Sequence, residues 1–169
     1  MKIKLSILIL VLLISTSVQS LNRASNSDTE KSVNVALGVS RVDLIRFAKK
    51  LLGSPYLYAS SNPKKGFDCS GFVNYVFKNF KINLPRGSRG IGVIGAGQKP
   101  EEFKVGDVLV FYGFKDKTRI GHVGIICEAA GMNSKFIHSS SGKGHGVMIS
   151  KLGSDMYTRR FYKCIDVIN

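Results

Sequence analysis

An α+β domain is the fold class this sequence predicts, on two observations of texture and one of order. Before Pro85 apolar residues recur at helical spacing. After it they fall into short β-branched runs separated by Gly-rich or polar turns. Helices first and strands later favour an antiparallel sheet with helices packed on it over alternating βαβ units.

The first segment is not part of that domain. Lys2 and Lys4 precede an unbroken apolar run from Leu5 to Ile14, and Val18 and Ser20 place small residues where a signal peptidase cuts. The run is shorter than the roughly 20 apolar residues a membrane span needs. Residues 1–20 are therefore expected to be an export signal, leaving a periplasmic or extracellular chain that starts at Leu21 without a stable membrane anchor. Residues 21–39 are polar, small and aperiodic, and read as a linker. Residues 40–169 remain, enough for one domain with its own core, and no repeat suggests a second.

Charge narrows the partners. The signal holds two of the 25 basic residues and none of the 11 acidic ones, which leaves 23 against 11, a net +12. Such a field favours anionic partners, and export makes nucleic acid the least fitting of them. The basic residues are scattered rather than blocked, so a solvated surface accounts for much of the charge.

The first helix is predicted from Ser40 as N-cap with Asp43 at the third helical position. Val42, Ile45, Ala48, Leu51 and Leu52 form its apolar face and Gly53 is its stop. A second helix follows Asp68, with Phe72, Val73, Val76, Phe77 and Phe80 on one side. The run from Gly90 to Gly95 matches G-x-G-x-x-G, but neither a strand before it nor a helix after it is predicted, so it reads as a flexible loop and not a dinucleotide fingerprint. The strands follow as DVLVFY, HVGIIC, SKFIHSS, GVMIS and RRFYKCIDVI.

Within this frame Cys69 stands out. Asp68 as N-cap puts it in the first helical turn, where unpaired N–H groups favour a thiolate, while the Asp68 carboxylate opposes it. A nucleophile there needs an imidazole partner. The chain has only three histidines. A hairpin turning around Ala130-Gly131 pairs His122 with His138 directly across two strands and on one face, one as base and the other orienting it. His145 lies between glycines, an exposed turn. Three cysteines in an exported chain leave at least one unpaired; Cys127 and Cys164, at apolar strand ends, are open to pairing in a disulfide or to burial as two free thiols, and the second is favoured.

The blocks GSPYLY, FDCSGFVNYVF, LPRGS, KVGDVLVF, GHVGIICEA and FIHSSSGKGHGVMIS resemble, in that order, the NlpC-type family of bacterial cell-wall cysteine peptidases. The resemblance runs from about Leu44 to Tyr162. It implies a papain-like fold and hydrolysis of peptidoglycan stem peptides, usually between D-glutamate and a diamino acid, with no cofactor and no metal. It also implies Cys69 as nucleophile, His122 as general base and His138 as the orienting third member. Tyr56 would assist the oxyanion or the substrate, and Asp68 and Ser70 would contact the stem peptide. The chain departs from the family pattern at Tyr58-Ala59-Ser60, where Gly-Gly is usual after the aromatic, and at Ile91, where Gln is usual. The other readings weighed are a same-fold amidase or transferase, a non-catalytic wall-binding protein, and a membrane-active factor. The last lacks a strongly cationic amphipathic helix. A monomer is expected.

Overall fold

The computed structural model describes residues 38–142 and 145–168. The expected export signal and all but the end of the expected linker lie outside the described residues. Helix α1 (Arg41–Lys49) starts as its sequence predicts, with the Ser40 hydroxyl accepting the Asp43 N–H at 3.2 Å, which satisfies one of the amides a helix start leaves unpaired. Its buried face differs from the expected one. Leu44, Ile45 and Ala48 are buried, whereas Val42 is 64% and Leu52 45% exposed. The helix closes at Lys50, so Leu51 and Leu52 lie past the point where helical periodicity applies.

Five strands form one antiparallel sheet: β3 (Val108–Tyr112), β4 (Ile120–Glu128), β5 (Lys135–Ser140), β6 (Gly146–Lys151) and β7 (Phe161–Ile165), lying side by side as β6-β5-β4-β3-β7. A short ribbon, β1 (Ser61–Asn62) with β2 (Gly66–Phe67), stands apart. Helix α2 (Cys69–Asn79) packs on β4 and β5, burying Phe72, Val73, Val76 and Phe77 as its period predicts, while Phe80, expected on the same face, caps the helix and is half-buried. Side chains alternate across the sheet. Phe111, Ile126 and Phe136 therefore share one apolar cluster with Tyr157 from helix α4 (Asp155–Thr158), while Val110, Ile125 and Ile137 are fully buried on the other face. α1 is anchored to the sheet through Arg41, which donates to Asp107 at 2.7 Å, to the Val105 carbonyl at 3.1 Å, and to Asp166.

The flexible loop expected at Gly90–Gly95 is overturned: Ser88–Val93 is a short helix, α3. Gly92 is the reason it fits, since a Cβ there would stand 2.3 Å from Ile120 Cδ1. The glycine lets α3 lie close on β4. No strand leads into it, so the dinucleotide reading stays excluded.

Candidate active site

The site begins at the start of α2. Asp68 caps the helix, its Oδ1 accepting the Gly71 N–H at 2.6 Å. Arg86 then forks onto the same carboxylate, Nη2 to Oδ2 at 2.7 Å and Nη1 to Oδ1 at 3.1 Å, and Nη1 also donates to the Ser70 hydroxyl at 3.1 Å. Burial pushes the Asp68 carboxyl up, but Arg86 and the Gly71 amide outweigh it and hold it below the usual carboxylate range. The glycine of the D-C-S-G block has a steric role. A Cβ on Gly71 would lie 2.0 Å from the Ser60 carbonyl oxygen, so only glycine lets the arm carrying β1 cross the helix start. That carbonyl in turn accepts the Asp68 N–H at 2.9 Å.

Cys69 is half-buried between the buried Asp68 and Ser70. Burial, then the Asp68 carboxylate, raises its thiol above the ordinary range, against the lowering effect of the Val123, Ser70 and Cys69 amides aimed at the sulfur. The helix start therefore does not by itself produce a thiolate: desolvation is the larger effect. The Val123 amide belongs to the residue after His122, which brings the start of β4 to the sulfur. Tyr56, half-buried and hydrogen-bonded to Ser141, has its phenol raised by burial and by the nearby Cys69 and Asp68.

His122 and His138 meet. His122 Nε2 lies 2.9 Å from His138 Nδ1, with the rings edge to face at 90°. They share a sheet face, as the sequence implies, but they are not directly opposed. Ile125 pairs with Ile137 and Ile126 with Phe136, which displaces the register by two residues and makes the two imidazoles diagonal neighbours. The turn is centred on Gly131, with a bulge between Ile126 and Glu128, so the partner changes and the face does not. Gly124 takes the place beside His138, where a Cβ would come within 3.0 Å of the His138 Cβ and 2.5 Å of the Phe136 ring. His138 has no exposure. Its pKa falls to about 4 through burial and then Arg160, and that of His122 falls well below 6.5 through burial, then His138 and Arg160. At rest the pair is neutral. His145 is exposed, at φ 28°, outside the pair.

The polar surroundings went partly unread in the sequence. Arg86 lies inside the quoted LPRGS block without a role, and only folding brings it to Asp68. Behind His138, Ser150 Oγ lies 2.9 Å and the Tyr157 hydroxyl 3.3 Å from Nε2. Strand alternation in GVMIS could have placed Ser150 on the histidine face. Nothing local marks Tyr157 or Arg160. Cys127 and Cys164 are buried, and none of the three cysteines is in a disulfide.

A cysteine-bearing helix start laid against a sheet that presents paired imidazoles defines a papain-like α+β domain. The chain belongs to the NlpC/P60 family, whose model matches residues 53–166. It is 38% identical over 117 residues to the gamma-DL-glutamyl hydrolase of Bacillus subtilis, covering 69% of this chain but 27% of that one. It is 33% identical over 112 residues to the probable endopeptidase NlpC of Escherichia coli, covering 66% and 68%. The crystal structure of an NlpC/P60 family protein from Bacillus cereus superposes with a TM-score of 0.69 at 27% identity, covering 78% of this chain and 41% of that one. The chain thus spans about a quarter of the Bacillus subtilis hydrolase and about two thirds of the Escherichia coli protein.

Proposed function

We propose that this protein is an exported cysteine endopeptidase that cuts peptidoglycan stem peptides at the bond between D-glutamate and a diamino acid. The observation that carries the reading is the 2.9 Å contact between His122 and His138, beside a half-buried cysteine whose sulfur faces the amide of the residue after His122. Cys69 is the nucleophile. Because the resting pair is neutral, His122 takes the thiol proton as the sulfur attacks the carbonyl carbon. The tetrahedral oxyanion is held by amides at the start of α2, with Tyr56 beside it. His122 returns the proton to the leaving amine, and water then hydrolyses the thioester. His138 holds the direction of His122. Asp68 and Ser70, tied to Arg86, shape the side on which the stem peptide lies, and the half-exposed Arg86 guanidinium offers charge to a substrate carboxylate. The relative named a gamma-DL-glutamyl hydrolase supports a glutamyl bond as the one cut.

Digestion of purified peptidoglycan, with fragments read by mass spectrometry, tests this. Stem fragments ending in D-glutamate are expected. Whole stem peptides freed from glycan would instead make the protein an amidase, cross-linked fragments would make it a transferase, and an unaltered but bound sacculus would make it a wall-binding protein.

A further inference from the structure

The contact between the histidines has two proton arrangements, and only one can serve a base. His122 faces His138 through Nε2, which leaves Nδ1 for the thiol. To accept the thiol proton, Nδ1 needs a free lone pair. A neutral His122 then carries its proton on Nε2 and donates it to His138 Nδ1. His138 Nδ1 must accept, so the His138 proton sits on Nε2. In the reverse arrangement His138 Nδ1 donates, His122 carries its proton on Nδ1, and nothing can take the proton from sulfur. The choice is made at the far end of the chain of bonds, at His138 Nε2.

Ser150 and Tyr157 stand there. His138 pairs with Met148, so Ser150, two residues on, lies on the same face and reaches Nε2 diagonally, at 2.9 Å. The Tyr157 hydroxyl lies 3.3 Å from the same nitrogen. The Ser150 and Ser140 hydroxyls also neighbour the Tyr157 oxygen and work against the burial that raises its phenol. With the Ser150 proton turned to Tyr157 and the Tyr157 proton turned to Ser140, both hydroxyls present lone pairs to His138 Nε2, and a nitrogen that meets lone pairs must donate. The Tyr157 ring also sets the direction of both imidazoles, stacked at 27° on His122 and edge-on at 78° to His138. Phe136 closes the other side of His138 at 4.7 Å between centroids.

We infer that Ser150 and Tyr157 are positioning residues that hold the His138 proton on Nε2, and so keep His122 in the tautomer able to take the Cys69 proton. The inference rests on the Cys69, His122 and His138 assignment proposed above. When His122 becomes an imidazolium, its Nε2–H donates to His138 Nδ1. That acceptor is strengthened because the other side of its ring donates to a hydroxyl, as other catalytic and metal-bound histidines donate their second N–H to an outer partner.

The test combines kinetics on a defined γ-D-glutamyl stem peptide with ¹⁵N spectra of the imidazoles. In the wild-type protein His138 should be protonated at Nε2, a measurement that needs no variant to fold. Ser150→Ala and Tyr157→Phe should each lower kcat by about tenfold, and together by about a hundredfold, with KM little changed. The acid limb of kcat/KM should move to lower pH as His122 loses basicity, and Ser150→Thr should restore most of the rate. A wild-type His138 protonated at Nδ1, or a folded double variant with wild-type kcat and pH profile, would overturn the inference. If Cys69→Ser also kept its activity, the underlying catalytic assignment would be the one to fail. A dead Cys69→Ser beside a fully active double variant would remove only the positioning role.

Discussion

Cys69 and Cys164 each stand next to an aspartate that is salt-bridged to an arginine, Asp68 with Arg86 and Asp107 with Arg41, yet the two surroundings ask opposite things of the sulfur. At Cys69 the carboxylate is spent on the Gly71 amide and on Arg86, and amides of Val123 and Ser70 point at the sulfur. At Cys164 the sulfur is itself the donor, 3.4 Å from Gln98 Oε1 and 3.9 Å from Asp107 Oδ2. Burial first, then the Asp107 and Asp166 carboxylates, push that thiol far up. Cys164 has no exposure, whereas Cys69 is half-buried at the end of a helix. An ion pair beside a thiol therefore does not make it reactive. What decides is whether donors or acceptors meet the sulfur, and whether a reactant can reach it.

The sharpest way to break this contrast is to mutate both sulfurs. Cys69→Ser should lower turnover of a defined stem peptide by more than about a thousandfold while the protein stays folded. Cys164→Ser should leave kcat/KM nearly unchanged and read out in melting temperature alone. Iodoacetamide on the native protein, followed by peptide mass mapping, should label Cys69 and spare Cys127 and Cys164. Rapid labelling of Cys164 in the folded state would erase the distinction.

Next in size is the histidine pair that only Cys69 has. His138→Ala should cost about a hundredfold or more in turnover, the scale on which misaligned catalytic groups lose rate. The exposed His145, replaced by Ala, should cost only a small factor. A silent His138→Ala beside an inactive His145→Ala would undo the assignment of both.

The neutral state of His138 also leaves a thermodynamic trace. Its pKa is about 4 in the fold against 6.5 for an ordinary histidine, so the unfolded chain binds the proton first as pH falls. The stability it contributes is complete well above pH 6.5 and is lost as pH drops toward 4, about 2 kcal/mol of it by pH 5. Urea unfolding of wild type and His138→Gln across that range measures it. Parallel slopes for the two proteins would assign the acid sensitivity to other groups.

The smallest effect concerns the arm that crosses the Cys69 helix and has no counterpart at Cys164. Ala59 sits at φ 57°, a left-handed conformation that costs a residue with a Cβ about 1–2 kcal/mol. The following Ser60 offsets this by donating to the Gly66 carbonyl at 2.7 Å. Ala59→Gly should raise stability by up to about 1 kcal/mol after the extra entropy of glycine in the unfolded chain. A lower melting temperature would mean the Ala59 methyl contributes more than its strain costs.

Much of this molecule was legible along the chain. The caps at Ser40 and Asp68, the buried face of α2, the succession of strands and the shared face of His122 and His138 all rest on short-range rules. A helix period, a cap and the alternation of a strand are local, and the shared face survives an error in the turn, because moving the turn centre by one residue moves the pairing by two. Partners do not survive it. Only the tertiary structure set Gly124 rather than His122 beside His138 and turned Ser88–Val93 into a helix packed through Gly92. Only the fold, too, carried Arg86 to Asp68 across 18 residues and closed the His138 ring between Phe136 and Tyr157. The protonation of the site was hidden for the same reason. The sequence supplies the helix-start amides and the neighbouring carboxylate, but the desolvation that outweighs the amides is a property of what folds over the sulfur and the imidazoles, and burial is the sum of contacts between residues far apart in the chain.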